Sequence, residues 1–255
     1  NGDYGSNKIR FDIRTNIPGK ITFTDNDGKE KILCRNCIGI NKTLNLNEGY
    51  HNLTIKINDE EINRSIFIDS KEPKIIKIFP KSKTYVNNTV LSVKYTEEFL
   101  DNVAVNYGNE SLLVSSNLIG CESGKNKICD INVNLSLFNG QAIEFWFNVF
   151  DKINSRNSDV NILFVDTIRP VITINSPNNN QSRRVGLDLA LSEKVEDLSY
   201  IDHNENRPRE KRLCRNCQFY NKTKTFTEGN HSLTFIAADN AGNIGEIGTT
   251  FVVLE

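Results

Sequence analysis

Leu33-Cys34-Arg35-Asn36-Cys37 returns letter for letter, 180 positions on, as Leu213-Cys214-Arg215-Asn216-Cys217. A repeated pentapeptide marks an internal repeat, and a third copy stands between the two in other features. Gly49, Gly140 and Gly229 each introduce an alternating apolar run, at intervals of roughly ninety residues. The chain therefore reads as three related units in a row, with expected boundaries at 1–72, 73–168 and 169–255. Units of that size are close to the length at which single domains stand alone, and 38% hydrophobic residues suffice for a core in each.

Each unit opens on strict alternation: Ile9, Phe11 and Ile13; then Leu91, Val93 and Tyr95; then Val185, Leu187, Leu189 and Leu191. A period of two places these side chains on one face of a strand. A second run follows each of the three glycines, through Leu53, Ile55 and Ile57, through Ile143, Phe145 and Phe147, and through Leu233, Phe235 and Ala237. A polar turn and a closing strand around Phe67, Phe164 or Phe251 complete the unit. Glu97 to Asn102 and Glu193 to Leu198 are expected to form at most a helical turn. Many short strands, with turn signals about every ten residues, predict an all-β chain of two-sheet sandwiches.

The links between units are regular. Phe67-Ile68-Asp69-Ser70 leads to Pro73, and Phe164-Val165-Asp166-Thr167 leads to Pro170. Proline just before a new strand stiffens the connection, which favours an elongated array. Three features together carry a resemblance. They are Gly229-x-His231-x-Leu233-x-Phe235, the turn Ala238-Asp239-Asn240-Ala241-Gly242-Asn243, and the Phe-Val-Asp-Thr-x-x-Pro link that ends at Pro170. This pattern resembles the tandem immunoglobulin-like or fibronectin-III-like domains of bacterial and archaeal cell-surface proteins. The resemblance implies three immunoglobulin-like β-sandwiches, the first of them short before Ile9. No cysteine pair is placed to bridge the two sheets as in antibody domains, and the only tryptophan, Trp146, lies late in the second unit.

Lys and Arg balance Asp and Glu within each unit, 11 against 11, 9 against 10 and 11 against 11. That balance withholds the electrostatic attraction on which nucleic-acid binding depends, so no nucleic-acid partner is expected. The basic residues Arg207, Arg209, Lys211 and Arg212 alternate with Glu205 and Glu210, the pattern of a solvated loop. No apolar run approaches the eighteen residues of a membrane helix, and no membrane insertion is expected in this stretch. A chain without methionine that opens on a polar segment reads as a piece of a longer protein.

The repeat gives each unit two cysteines, so the simplest pairing is Cys34 with Cys37, Cys121 with Cys129, and Cys214 with Cys217. Loops this short constrain the unfolded chain by roughly 2 to 3 kcal/mol at best, stapling one loop in each unit. Tetrahedral zinc on two Cys-x-x-Cys pairs is a rival, but an entire unit separates those pairs. A redox Cys-x-x-Cys would need a strand-helix context that this chain does not offer. Paired cysteines point to an oxidising compartment, hence an extracellular or cell-surface location.

Among the Asn-x-Ser/Thr sequons, Asn41 and Asn221 follow the second cysteine of their units by four residues, and Asn134 lies near the equivalent place in the middle unit. These three are the glycosylation candidates, where glycans would shield the chain beside the disulfide. His51 and His231 occupy the same place in their repeats and read as packing residues, while His203 sits in a polar loop. No histidine stands beside a serine, cysteine or carboxylate in a catalytic pattern, and no phosphate loop is present, so no enzyme activity and no cofactor are expected.

Asp69 and Asp166 at the links, with Asp59, Asp151 and Asp239 in the turns before the last strands, are hard oxygen ligands that could clamp a linker on calcium. The dense Asp-x-Asn-Asp-Asn pattern of cadherin junctions is absent. Turn capping by Asp side chains is therefore the expected role, with no metal and with Asp69 and Asp166 as weak calcium candidates.

These readings describe a non-catalytic extracellular segment of a cell-surface protein, a stiff spacer whose variable loops at Ser115 to Lys127 and Asp202 to Arg212 offer contacts to an unknown cell-surface protein or glycan. The alternative is an accessory region of a secreted enzyme, with Tyr50, Tyr107 or Tyr220 stacking on sugars. Fold alone does not separate the two.

Overall fold

A computed structural model of the chain describes residues 2–87, 89–118 and 120–254. Strands dominate it, and the single helical element among the described residues is the three-residue 3-10 turn Ser136–Phe138. The first sheet contains β1 (Gly2–Tyr4), β2 (Lys8–Asp25), β3 (Lys31–Asn45), β4 (Gly49–Ile57) and β5 (Glu60–Ile68), in the order β1-β5-β4-β2-β3. All pairings are antiparallel except β1 with β5.

The middle of the chain contributes β6 (Lys74–Phe79), β7 (Thr84–Val86), β8 (Thr89–Glu97), β9 (Leu100–Gly108), β10 (Leu113–Leu118), β11 (Gly124–Val133), β12 (Ala142–Asp151), β13 (Ser155–Asn157) and β14 (Asn161–Val165). These form two sheets, β11-β8-β6 and β10-β9-β12-β14-β7, with β13 alongside β12. Alternate side chains of both sheets meet in one core of Leu91, Val93, Tyr95, Val105, Ile143, Phe145 and Phe147. The last third supplies β15 (Ile172–Ser176), β16 (Asn180–Gln181), β17 (Arg184–Asp202), β18 (Lys211–Thr225), β19 (Gly229–Ala238) and β20 (Ile244–Val253). Their order is β15-β17-β19-β20-β16, with β18 along β17.

The middle sheets explain the long strands on either side of them. The first half of β17 pairs with β15, its second half pairs with β19, and β18 follows both halves. In the middle unit this strand is broken into β8 and β9, one in each sheet. β2 and β17 are thus corner strands that pass from one layer of a sandwich to the other. At the bend four residues, Thr15 to Pro18 or Leu191 to Lys194, lie opposite one, Ile38 or Gln218, a wide irregularity of the kind that turns strands at sandwich corners.

Three separate hydrophobic clusters result, drawn from residues 9–68, 75–165 and 172–253. The alternating runs read from the sequence supply much of them, with Phe145, Phe147, Phe235 and Leu187 almost fully buried, and the second half of β2 adds Ile21 and Phe23, which those runs did not include.

Three expectations need correction. The segments 97–102 and 193–198 are not helical turns but corners, because the chain has to change sheets there. Cys34 and Cys37 lie within β3, and Cys214 and Cys217 within β18, rather than in loops. Three residues of extended strand span about 10 Å. The Cα separations here are only 6.3 and 6.2 Å, and in the second pair Asn216 adopts φ 50° to shorten the path. Finally, most of Ser115 to Lys127 is strand, since β10 runs to Leu118 and β11 begins at Gly124.

Candidate functional site

The ends of the closing strands β5 and β14 each meet the corner of the unit that follows. After β5, Asp69 is held by its own N–H, which donates to Tyr4 O at 3.0 Å, and its side chain points toward the middle unit. There it meets Glu97, at the end of β8, and Asp151, at the end of β12, with ligand oxygens of all three within 4.8 Å of one another and all three residues buried. The second junction repeats the arrangement. Asp166 follows β14, Glu193 occupies the bend of β17, Asp239 follows β19, and one oxygen of each again lies within 4.8 Å of the others.

The turn aspartates are held by backbone donors, as expected of capping residues. Asp151 Oδ1 accepts the N–H groups of Ile153, at 2.6 Å, and of Asn154. Asp239 Oδ1 accepts those of Ala241 and Asn243, both at 2.8 Å, while Asp239 Oδ2 accepts from Asn243 Nδ2 at 2.8 Å. Glu97 Oε1 accepts from Phe99 N at 2.8 Å. Asp69 differs: it is 2% exposed and its Oδ2 has no hydrogen-bond partner.

Burial chiefly, then the neighbouring Asp151 and Glu48 carboxylates, push the Asp69 carboxyl up to about 6. Glu97 is raised by burial and then by Asp69 and Asp151, and Glu193 by burial and then by Asp166 and Asp239. At the first set the Lys71 backbone N–H and the Lys71 charge oppose the rise of Asp69 without cancelling it. Chemically, each set offers hard oxygen donors with neither sulfur nor imidazole.

The sequence placed Asp69, Asp166, Asp151 and Asp239 near junctions and turns, and the structure brings them together in two sets. It leaves Asp59 exposed and apart. The glutamates were missed as site residues. Their signal was the shared ending Tyr95-Thr96-Glu97 and Leu191-Ser192-Glu193 of the first strand run, whereas the bend of the first unit carries Ile17.

Other contacts lock the same joints. Phe67 lies on the outer face of β5, outside the core cluster, with ring centroids 4.7 Å from Tyr50 and 5.1 Å from Phe99. Lys152 Nζ sits 4.9 Å above both the Tyr50 and Phe67 rings and donates to the Tyr50 hydroxyl. At the second junction Asn243 Nδ2 donates to Asp166 O at 2.8 Å, and Asn87 Nδ2 donates to Asn243 Oδ1 at 3.3 Å. Pro170 O approaches Gly245 so closely that a Cβ there would lie 1.8 Å from it, which only glycine allows.

Elsewhere, the sulfurs of Cys34 and Cys37, Cys121 and Cys129, and Cys214 and Cys217 lie at bonding distance. Asn41, Asn134 and Asn221 are exposed. His51 and His231 are buried, with Nδ1 against Asp25 Oδ1 at 2.8 Å and Asp202 Oδ2 at 2.5 Å, and Nε2 against the carbonyls of Asn47 and Thr227, both at 2.8 Å. In the middle unit Ile143 holds this register position. Of the tyrosines considered for sugar stacking, Tyr107 and Tyr220 are buried in cores, whereas Tyr50 is exposed and also packs against Phe67 at the first junction.

The structure defines an all-β protein of immunoglobulin-like sandwich construction. No family model and no curated protein matches the sequence. Similar solved structures include the fibronectin(III)-like modules of Clostridium thermocellum CbhA, at 14% identity and TM-score 0.42 over 71% of this chain and 93% of that one. The FN1-FN3 domains of chicken CNTN1 are similar at 10% identity and TM-score 0.41, over 100% of this chain and 99% of that one. A tetra-tandem repeat in the extending region of a large adhesion protein is similar at 14% identity and TM-score 0.36, over 98% of this chain and 71% of that one.

Proposed function

We propose that the chain is a non-catalytic extracellular segment of a cell-surface protein: three immunoglobulin-like domains, 1–72, 73–168 and 169–255, set end to end as a stiff spacer. Its loops are offered to a cell-surface protein or glycan. The observation that carries this reading is the junction, built twice from the same parts. The links from Ile68 to Lys74 and from Val165 to Ile172 are short, and side chains from both neighbours interlock across them. Short links with interlocked side chains restrict hinge motion, which a spacer needs and a flexible tether does not. Three cysteine pairs support an oxidising compartment.

Small-angle scattering of the purified chain tests the spacer. Three sandwiches placed end to end, each roughly one ten-residue strand long, have a radius of gyration of about 30 Å, against about 18 Å for a compact globule of the same length. A value near the lower figure would exclude the extended arrangement.

Glycans on Asn41, Asn134 and Asn221 belong to the same reading, because all three side chains are exposed. Intact mass of natively expressed protein is expected to drop on deglycosylation; an unchanged mass removes the glycans from the proposal.

A further inference from the structure

We propose that each junction binds a divalent cation of the calcium type, one held by Asp69, Glu97 and Asp151 and a second by Asp166, Glu193 and Asp239. Like charges held within 4.8 Å repel, most strongly in the first set, where all three residues are buried, and the same set of three carboxylates recurs at the second junction. The independent observation is Asp69, whose Oδ2 is buried and unpartnered in the middle of the first set. A buried carboxylate oxygen without a donor is costly, and a cation is the partner that three surrounding carboxylates select.

The donor chemistry narrows the ion. Carboxylate oxygens without sulfur or nitrogen favour hard cations over zinc or copper. Calcium accepts six to eight oxygens in irregular geometry, whereas magnesium demands a near-ideal octahedron, which suits carboxylates brought from three separate elements less well. A cleft of about 470 Å³ is lined by Asp69 and Glu97 of the first set, with Lys71, Lys74 and Lys125 also on its walls.

The placement states what the ion would do. Each set takes one ligand from the unit that ends and two from the unit that begins, so binding energy is coupled directly to docking of neighbours. At the corresponding bend of the first unit Ile17 replaces the glutamate, and Asp59 stays exposed, so the three-carboxylate set occurs among the described residues only where one unit meets the next. Cation binding stands on these side chains and does not depend on the spacer reading: a chain found compact by scattering could still bind two ions.

The test uses the whole chain, freed of metal with chelator and titrated with calcium chloride by calorimetry, with parallel melts in calcium, magnesium and chelator. Two ions per chain are expected, with dissociation constants of about 10⁻⁴ to 10⁻³ M, as in extracellular modules. Saturating calcium should raise the melting temperature by about 4 °C or more, and magnesium by much less. Glu97→Gln and Glu193→Gln should each remove one ion and keep the other, while Asp159→Asn, exposed and away from both sets, should keep two. Should Glu97→Gln fail to fold by circular dichroism, Asp69→Asn reports on the same ion. A folded, chelator-treated chain that takes up no calcium at 5 mM, or variants that bind as many ions as the parent, would overturn the proposal.

Discussion

Asp202→Ala is expected to destabilise the last unit by about 3 kcal/mol, the sum of a lost charge-assisted hydrogen bond and a buried polar group left without its partner. Asp202 has no solvent exposure, and its Oδ2 lies 2.5 Å from His231 Nδ1, itself buried beneath the rings of Phe226 and Phe251. Its Oδ1 also accepts the N–H of Asn204 at 3.1 Å, so the substitution frees the turn between β17 and β18 as well. Asp25→Ala in the first unit removes the equivalent partner of His51, but that side chain keeps 25% exposure and water can replace it. About half the loss is expected there. Urea unfolding followed by circular dichroism measures both. A loss under about 1 kcal/mol for Asp202→Ala, or equal losses at the two positions, would show that the histidines are held by packing alone.

Phe67→Ala is expected to uncouple the first unit from the middle one. The ring is 2% exposed, yet it belongs to neither core: it is covered by Tyr50 on its own side, Phe99 across the junction, and the Lys152 side chain above. Truncating a buried phenylalanine costs about 3 to 5 kcal/mol. Here the loss falls on the contact between units rather than on either fold. In calorimetry the parent's first two units should melt together and the variant's in separate steps. Phe164→Ala, at the equivalent position of the middle unit, should cost under about 1 kcal/mol, because that ring is only half-buried and packs on Tyr85 within its own unit. A variant that melts like the parent would assign the joint to the carboxylate clusters and the link prolines instead.

The two phenylalanines show where sequence reading reaches its limit. The closing strands were recognised around Phe67, Phe164 and Phe251, and strands do lie there. Only Phe251 faces a core, since Ile66 and Leu163 hold its register position in the other units while Phe67 and Phe164 point the other way. One residue of register reverses every side chain of a strand, and a single apolar triplet such as Ile66-Phe67-Ile68 carries no alternation from which to choose the face.

The carboxylate sets show the same limit at longer range. Asp69 and Asp166 were visible as regular link residues, and Asp151 and Asp239 as turn residues, but each was explained locally by capping. That explanation holds for Asp151 and Asp239, whose oxygens do take backbone N–H groups. Glu97 and Glu193 enter the sequence reading only as the first residues of two expected helical turns, because the carboxylate that each meets from the preceding unit, Asp69 or Asp166, is about thirty residues away.

What the chain by itself determined was periodic and local: the all-β class, the repeated Leu-Cys-Arg-Asn-Cys stretch, the inward-facing rows Leu91-Val93-Tyr95 and Leu233-Phe235-Ala237, and the equivalence of His51 with His231. These follow from side-chain alternation and copying, which a linear sequence records directly. The tertiary structure alone decided that β2 and β17 cross between sheets, that Asp25 and Asp202 hold the histidines, and that three carboxylates converge at each joint. Each of those depends on where a strand bends and which end of a unit meets the next, and distances set by packing between remote segments leave no period in the sequence.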